Sequence, residues 1–309
     1  MFTDMLGKSR LKINLHTHTT LSDGHKTPEE AATIYAAAGY DAIALTDHWV
    51  YGPSQTLSGL DIISGCEYHV TGVDSETGAM VVFHIVGLGM ERDPELPVAL
   101  KMEDDEGVYD RARLIIDGIQ KTGGMAVLAH PAWSLNTPAM LRKLGGFEAT
   151  EIYNSVSDFG MSDRPYSGQI VDMLASAGHC YPLLATDDTH HYTGDECRGA
   201  VCIEADAVRE LGLVGALRAE RFYASMGPEV HLWRESEDTV RLVCTPAVKI
   251  AFLSNLVWTQ GRMVRAESPD APLTEATFTL RPDRGERYVR AEVTDAEGRV
   301  GWSNIIRIK

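Results

Sequence analysis

"RLKINLHTHTTLSDGHKTPEEAATIYAAAGYDAIALTDH", residues 10–48, carries the pattern on which the fold turns. Residues 10–18 alternate apolar and polar, as a half-buried strand does. "TPEEAATIYAAAG" (27–39) then reads as a helix: Thr27 can cap it, Pro28 suits its first turn, Glu30 completes a capping box and Gly39 stops it. "DAIALTDH" (41–48) is an apolar run of strand length. Strand, helix and strand make the opening unit of an α/β sheet.

Working outward, "LDIISGCE" (60–67) is a further strand, and 67–73 with 79–87 predict a hairpin turning at "DSETG" (74–78). Residues 103–122 follow a helical pattern up to Gly123–Gly124, before the strand "MAVLAH" (125–130). A capped helix near "TPAMLRKLG" (137–145), a strand "FEATEIYN" (147–154), a helix over 166–177 and a strand "YPLLATDD" (181–188) come next. "GAVCIEA" (199–205), a helix over 206–220 and "RFYAS" (221–225) complete the series. The alternation predicts an α/β fold with a mainly parallel sheet, open or closed. Beyond "SMGPEV" (225–230) only strands are legible. This predicts one unit over 1–227 and a small antiparallel β domain of sandwich type over 228–309, in which Trp233, Trp258 and Trp302 are read as core packing rather than a recognition surface.

The 309 residues carry a formal charge of −16, which disfavours long nucleic acid, because counterion release needs clustered Lys and Arg. A small phosphorylated ligand is not excluded, since bound divalent cations make a site locally positive. Cys66, Cys180, Cys197, Cys202 and Cys244 contain no C-x-x-C pair, so neither a disulfide framework nor a thiolate zinc site fits. "MFTDMLGKSRLKINLH" has no basic segment followed by an apolar run, and nothing approaches the roughly 20 apolar residues of a membrane span. The expectation is a cytoplasmic protein with no membrane partner.

The histidines follow the strands. His16 and His18 are two apart and share a strand face. His48, Glu67 and His130 close predicted strands, His84 lies near the end of another, and Asp188 and His190 close "YPLLATDDTH". Carboxyl ends of strands in such sheets converge on one mouth, and that many ligand atoms in one cavity need cations to neutralise them. In "DDTHH" the D-x-H spacing selects Asp188 and His190, leaving Asp187 and His191 as supporting or substrate contacts.

Taken in order, "HTHTTLSDG", "LTDH", "GCE", "FHIVG", "AHP" and "DDTH" resemble the PHP (polymerase and histidinol phosphatase) family of metal-dependent phosphoesterases, over about residues 10–227. The resemblance implies a distorted seven-stranded β/α barrel, here followed by the small all-β domain, and two or three divalent ions. His16, His18, Glu67 and Asp188 would hold the first, Glu67 with His84 and His130 the second, and Asp23, His48 and His190 the third. Imidazole and carboxylate ligands suit Mn²⁺, Fe²⁺ or Zn²⁺ alike. Two ions bridged by Glu67 would share a water and bring its pKa from 15.7 towards roughly 7, giving a hydroxide for in-line attack on a phosphate ester. Glu67, Asp188 and His190 are therefore the residues expected at the reaction centre.

His25, Arg164, Arg198 and His191 are candidate contacts for the substrate phosphate. Glu151 and Asn154 are expected to steady the ligands. His69, expected on the hairpin face away from Glu67, and His179 and His231 are read as structural. The expected activity is hydrolysis of small phosphate mono- or diesters, cyclic phosphates included. An oligonucleotide exonuclease, a histidinol phosphate phosphatase and a metal-stabilised binding or scaffold module are the rival readings. Oligomerisation through the β domain is a further option.

Overall fold

The computed structural model describes residues 1–101, 107–268 and 270–308. The opening helix is Pro28–Ala37, with Thr27 and Glu30 forming the reciprocal capping box that its sequence predicts. It buries Ala31, Ala32 and Tyr35 in a cluster that includes Ile43, Leu60 and Ile62. The helix predicted over 103–122 is Val108–Lys121; residues 103–106 lie outside the described residues. It lays Ile115, Ile116 and Ile119 against Phe83, Ile85 and Leu128, each large aliphatic contributing about 1.5–3 kcal/mol by leaving water. Among the described residues no helix is long and apolar enough to cross a membrane.

Two sheets frame the site. One has five strands, running in order Leu183–Thr186, Ala149–Asn154, Met125–Leu128, Met80–Leu88 and Gly65–Val73. The other, of twelve strands, contains Ser9–Asn14 between Ala200–Glu204 and Ala42–Ala44. The seven-stranded barrel does not appear as a closed ladder among the described residues. The two sheets meet instead at isolated bridges, Thr17 with Thr189 on one side and His48 with Glu67 on the other. A left-handed residue stands beside each bridge, Asp188 (φ 53°) before Thr189 and Trp49 (φ 57°) after His48, where an extended ladder cannot continue.

The C-terminal strands do not stand apart from the first sheet. Phe222–Ser225 pairs with Val300–Trp302, so Tyr288–Thr294, Lys249–Leu253 and Met263–Arg265 extend the twelve-stranded sheet beyond residue 227. A three-stranded sheet of Val230–Arg234, Thr239–Ala247 and Leu273–Thr279 packs on it, with Phe278 stacked on Phe252 at 5.3 Å. Trp302 is buried, but Trp233 is part-exposed and Trp258 is 84% exposed, so core packing accounts for only the first of the three tryptophans. Arg290, fully buried on Tyr288–Thr294, reaches Asp172 of the helix Gly168–Ser176 at 2.8 Å and ties the two parts together.

Candidate metal centre

The seams are also where the ligands gather. The bridge between Thr17 and Thr189 sets His16 and His18 beside Asp188 and His190, with the Asp188 N–H donating to the His16 carbonyl at 2.8 Å. The bridge between His48 and Glu67 brings the second wall alongside. His16 Nε2 and His18 Nε2 lie 3.2 Å apart, each 3.1 Å from Asp188 Oδ1 and 3.4 and 3.1 Å from Glu67 Oε2. His84 Nδ1 is 2.8 Å and His130 Nε2 3.4 Å from Glu67 Oε1. Asp23 stands on the open side, its oxygens 3.4–3.6 Å from His18, His48 and His190. All eleven histidines except His179 and His231 lie in or beside this cluster.

Three sets of ligand atoms each fit within 4.8 Å: His16, His18, Glu67 and Asp188; His48, Glu67 and His84; and His18, Asp23, His48 and His190. They resemble the three expected sets with two differences: His48 takes the place expected of His130 beside Glu67 and His84, and His18 also borders the Asp23 set. The residues fit divalent cations. Asp188 Oδ1 is buried and accepts no hydrogen bond, while two imidazole nitrogens converge on it. A buried oxygen of this kind is costly without a partner.

The surrounding charges push in one direction. Burial would lower the pKa of His16 and His18, but Asp188 and Glu67 outweigh it and hold both well above the ordinary value. His130 is raised in the same way, chiefly through Glu67. Burial would raise Glu67 and Asp188, yet the facing imidazoles keep both below the usual carboxylate range. His48 goes the other way, to about 4, because burial dominates. A cluster that binds protons this tightly offers sites that a cation can fill as the protons leave.

A supporting layer aims the ligands. Glu151, buried on Ala149–Asn154, accepts from His16 Nδ1 at 2.7 Å, from the His130 N–H at 2.8 Å and from Asn154 Nδ2 at 2.8 Å. Asn154 Nδ2 also donates to Asp188 Oδ2 at 3.1 Å. Asp47, which the sequence reading passed over, accepts from Thr19 and Ser22 and holds the loop that presents Asp23. Gly24 closes that loop, where a Cβ would lie 2.5 Å from the His18 backbone. Asp187 turns away from the cluster, accepting from Tyr35 Oη and the Gly199 N–H; burial lifts its pKa to about 7.

The expected phosphate contacts divide. His25 is exposed and packs its ring 5.2 Å from His191, at the edge nearest His190. Arg164 is exposed and does not line the cavity; Arg198 is turned outward over Phe159, paired with Asp158 at 3.2 Å. His69 corrects the sequence reading. Two residues from Glu67 on one strand, it shares that face, with its Nδ1 3.4 Å from His48 Nδ1 and its ring 5.4 Å from His84. Strand alternation alone would have placed it there. The cavity above the cluster holds about 230 Å³ and is walled by Trp133, Val156, Ser157 and Met161. Trp133, its ring 4.9 Å from His130, had no signal in the sequence pattern.

Comparison with known proteins follows the same lines. No family model matches the chain. A 3',5'-nucleoside bisphosphate phosphatase from Chromobacterium violaceum is 34% identical over 118 residues, 36% of this chain and 39% of that protein, so the match spans well under half of the relative's length. The chain resembles the PHP phosphoesterases. Among solved structures, a two-domain protein from Bacteroides vulgatus containing a predicted PHP-like metal-dependent phosphoesterase aligns at 17% identity and TM-score 0.49, over all of this chain and 97% of that one. A putative metal-dependent phosphoesterase from Bifidobacterium adolescentis aligns at 16% identity and TM-score 0.42, over 67% of this chain and 98% of the other.

Proposed function

We propose that the chain is a metal-dependent hydrolase of small phosphate esters. The convergence of His16, His18, Glu67 and Asp188 on one buried point, beneath a cavity open to solvent, carries the reading. Divalent ions held there supply Lewis acidity, which activates water and neutralises phosphoryl charge. Glu67 presents one oxygen to each side of the cluster, so it is the residue suited to bridge two ions, with His84 and His130 on its Oε1 side. Asp188 and the His16–His18 pair close the first site, and Asp23, His48 and His190 form a third on the open side, nearest an entering substrate. Of the four candidate phosphate contacts none lines the cavity; His25 and His191 stand beside His190 at its edge, which supports them over Arg198, already paired with Asp158. Mn²⁺, Fe²⁺ and Zn²⁺ all suit this donor set.

A cavity of about 230 Å³ sits below the usual range for ligand pockets, which favours a phosphate with a small part of its carrier enclosed. The Chromobacterium violaceum relative, a nucleoside bisphosphate phosphatase, supports phosphomonoesters as the first substrates to try. Residues 1–227 form the catalytic unit in this reading, with the strands after 228 bracing it. The test is turnover of a panel of phosphate mono- and diesters before and after exhaustive chelation. Activity lost with the metal and regained with Mn²⁺ is expected; undiminished turnover by chelated protein overturns the proposal.

A further inference from the structure

Each histidine in the cluster offers one nitrogen to the centre, and most have a partner for the other. His16 Nδ1 has Glu151 Oε1 at 2.7 Å, His130 Nδ1 has Ser134 Oγ at 3.1 Å, and His190 Nδ1 has the Asp188 carbonyl at 2.6 Å. A ligating imidazole needs such a partner to fix its tautomer and hold its ring. For His48, Nε2 faces Asp23 at 3.6 Å, and an Nε2 that gives its lone pair to an ion held there leaves the hydrogen on Nδ1. Two acceptors lie near it. Glu67 Oε2, at 3.1 Å, is the oxygen already turned towards His16 and His18. The other is His69 Nδ1 at 3.4 Å, on a ring set edge-on to His48 at 89°.

We infer that His69 is a positioning residue that accepts from His48 Nδ1–H and thereby aims His48 Nε2 at the outermost ion, the one bounded by Asp23 and His190. His69 is itself half-buried, directly opposite His84 in the hairpin ladder and 6.1 Å from the Trp49 ring, so its own orientation is restrained from two sides. It does not line the cavity and need not touch substrate. This rests on the metal-centre reading above.

The test is the number and affinity of Mn²⁺ ions retained by the full chain after chelation and reloading, read by elemental analysis and equilibrium titration. In His69→Ala the weakest-held ion should lose 10–100-fold in affinity while the inner ions remain, which also shows that the fold survives. His69→Asn, whose amide oxygen can stand where Nδ1 stood, should recover most of that loss. His69→Ala with wild-type affinity for every ion overturns the inference, and so does equal loss of all ions without recovery in His69→Asn. A wild-type chain that binds no Mn²⁺ overturns the metal-centre reading itself, before any variant is made.

Discussion

Glu151→Gln is nearly isosteric, yet it should disable His16. The native carboxylate accepts on both oxygens: Oε1 from His16 Nδ1, Oε2 from the His130 N–H and Asn154 Nδ2. An amide has one acceptor oxygen and one NH₂. If the oxygen stays with His130, the NH₂ faces His16 Nδ1, and His16 must move its hydrogen to Nε2, the nitrogen that faces Asp188 and Glu67. If the oxygen stays with His16, the buried His130 N–H meets another donor. The first outcome removes a ligand lone pair; the second leaves a buried group unsatisfied, at about 1–3 kcal/mol. Loss of a supporting hydrogen bond typically lowers metal affinity 10–100-fold, about 1.4–2.7 kcal/mol. Titrating the chelated variant with Mn²⁺ and following its thermal melt in parallel measures both terms. Wild-type affinity with an unchanged melt would refute the supporting role of Glu151.

Gly24→Ala forces a methyl group against the His18 backbone, so about 1–3 kcal/mol of stability and the outermost Mn²⁺ should be lost together, as a melt and metal content will show; full occupancy contradicts the placement of Asp23. Arg290→Met leaves Asp172 and Glu292 facing each other without their cation and should cost about 3 kcal/mol in denaturant unfolding, with activity per folded molecule unchanged. In the metal-free chain, His16, His18 and His130 hold their protons more tightly folded than unfolded, because the facing carboxylates outweigh burial. Their stabilising contribution is complete below about pH 6.5 and disappears as pH rises through the raised folded values. The metal-free melting temperature should therefore fall on the alkaline side of neutrality, while Mn²⁺ uptake releases protons and tightens over the same window; a flat profile with no proton release excludes this.

The gathering of histidines and carboxylates was legible because strand alternation and strand ends are local signals. His16 and His18 follow from their spacing, and Asp188 with His190 from theirs, even against the competing Asp187 and His191. The same rule applied to Glu67 and His69 gives the observed face, so His69 was readable and was misread. The helix at 28–37 was legible through Thr27, Pro28 and Glu30. Gln55–Leu57, Met263–Arg265 and Val300–Trp302 are each too short to show a period, and the pairing of Phe222–Ser225 with Val300–Trp302 depends on partners that no local pattern identifies. The open seams were equally hidden, since the left-handed φ at Trp49 and Asp188 beside them is not announced by a residue-type pattern. The direction of Arg198 was hidden for a related reason: a loop cation's aim depends on neighbours, here Asp158 and Phe159.

At the Thr17–Thr189 and His48–Glu67 gaps a few main-chain hydrogen bonds, such as His18 N–H to Thr189 and Trp49 N–H to Glu67, join the walls in place of a continuous ladder. Ions seated between the walls would then act as hoops on a split cask, and loading them would tighten the backbone as well as arm the chemistry. Amide deuterium uptake at His18 and Asp188, whose N–H groups cross one gap to Thr189 and His16, should slow when Mn²⁺ is added, while strands remote from the mouth keep their rates.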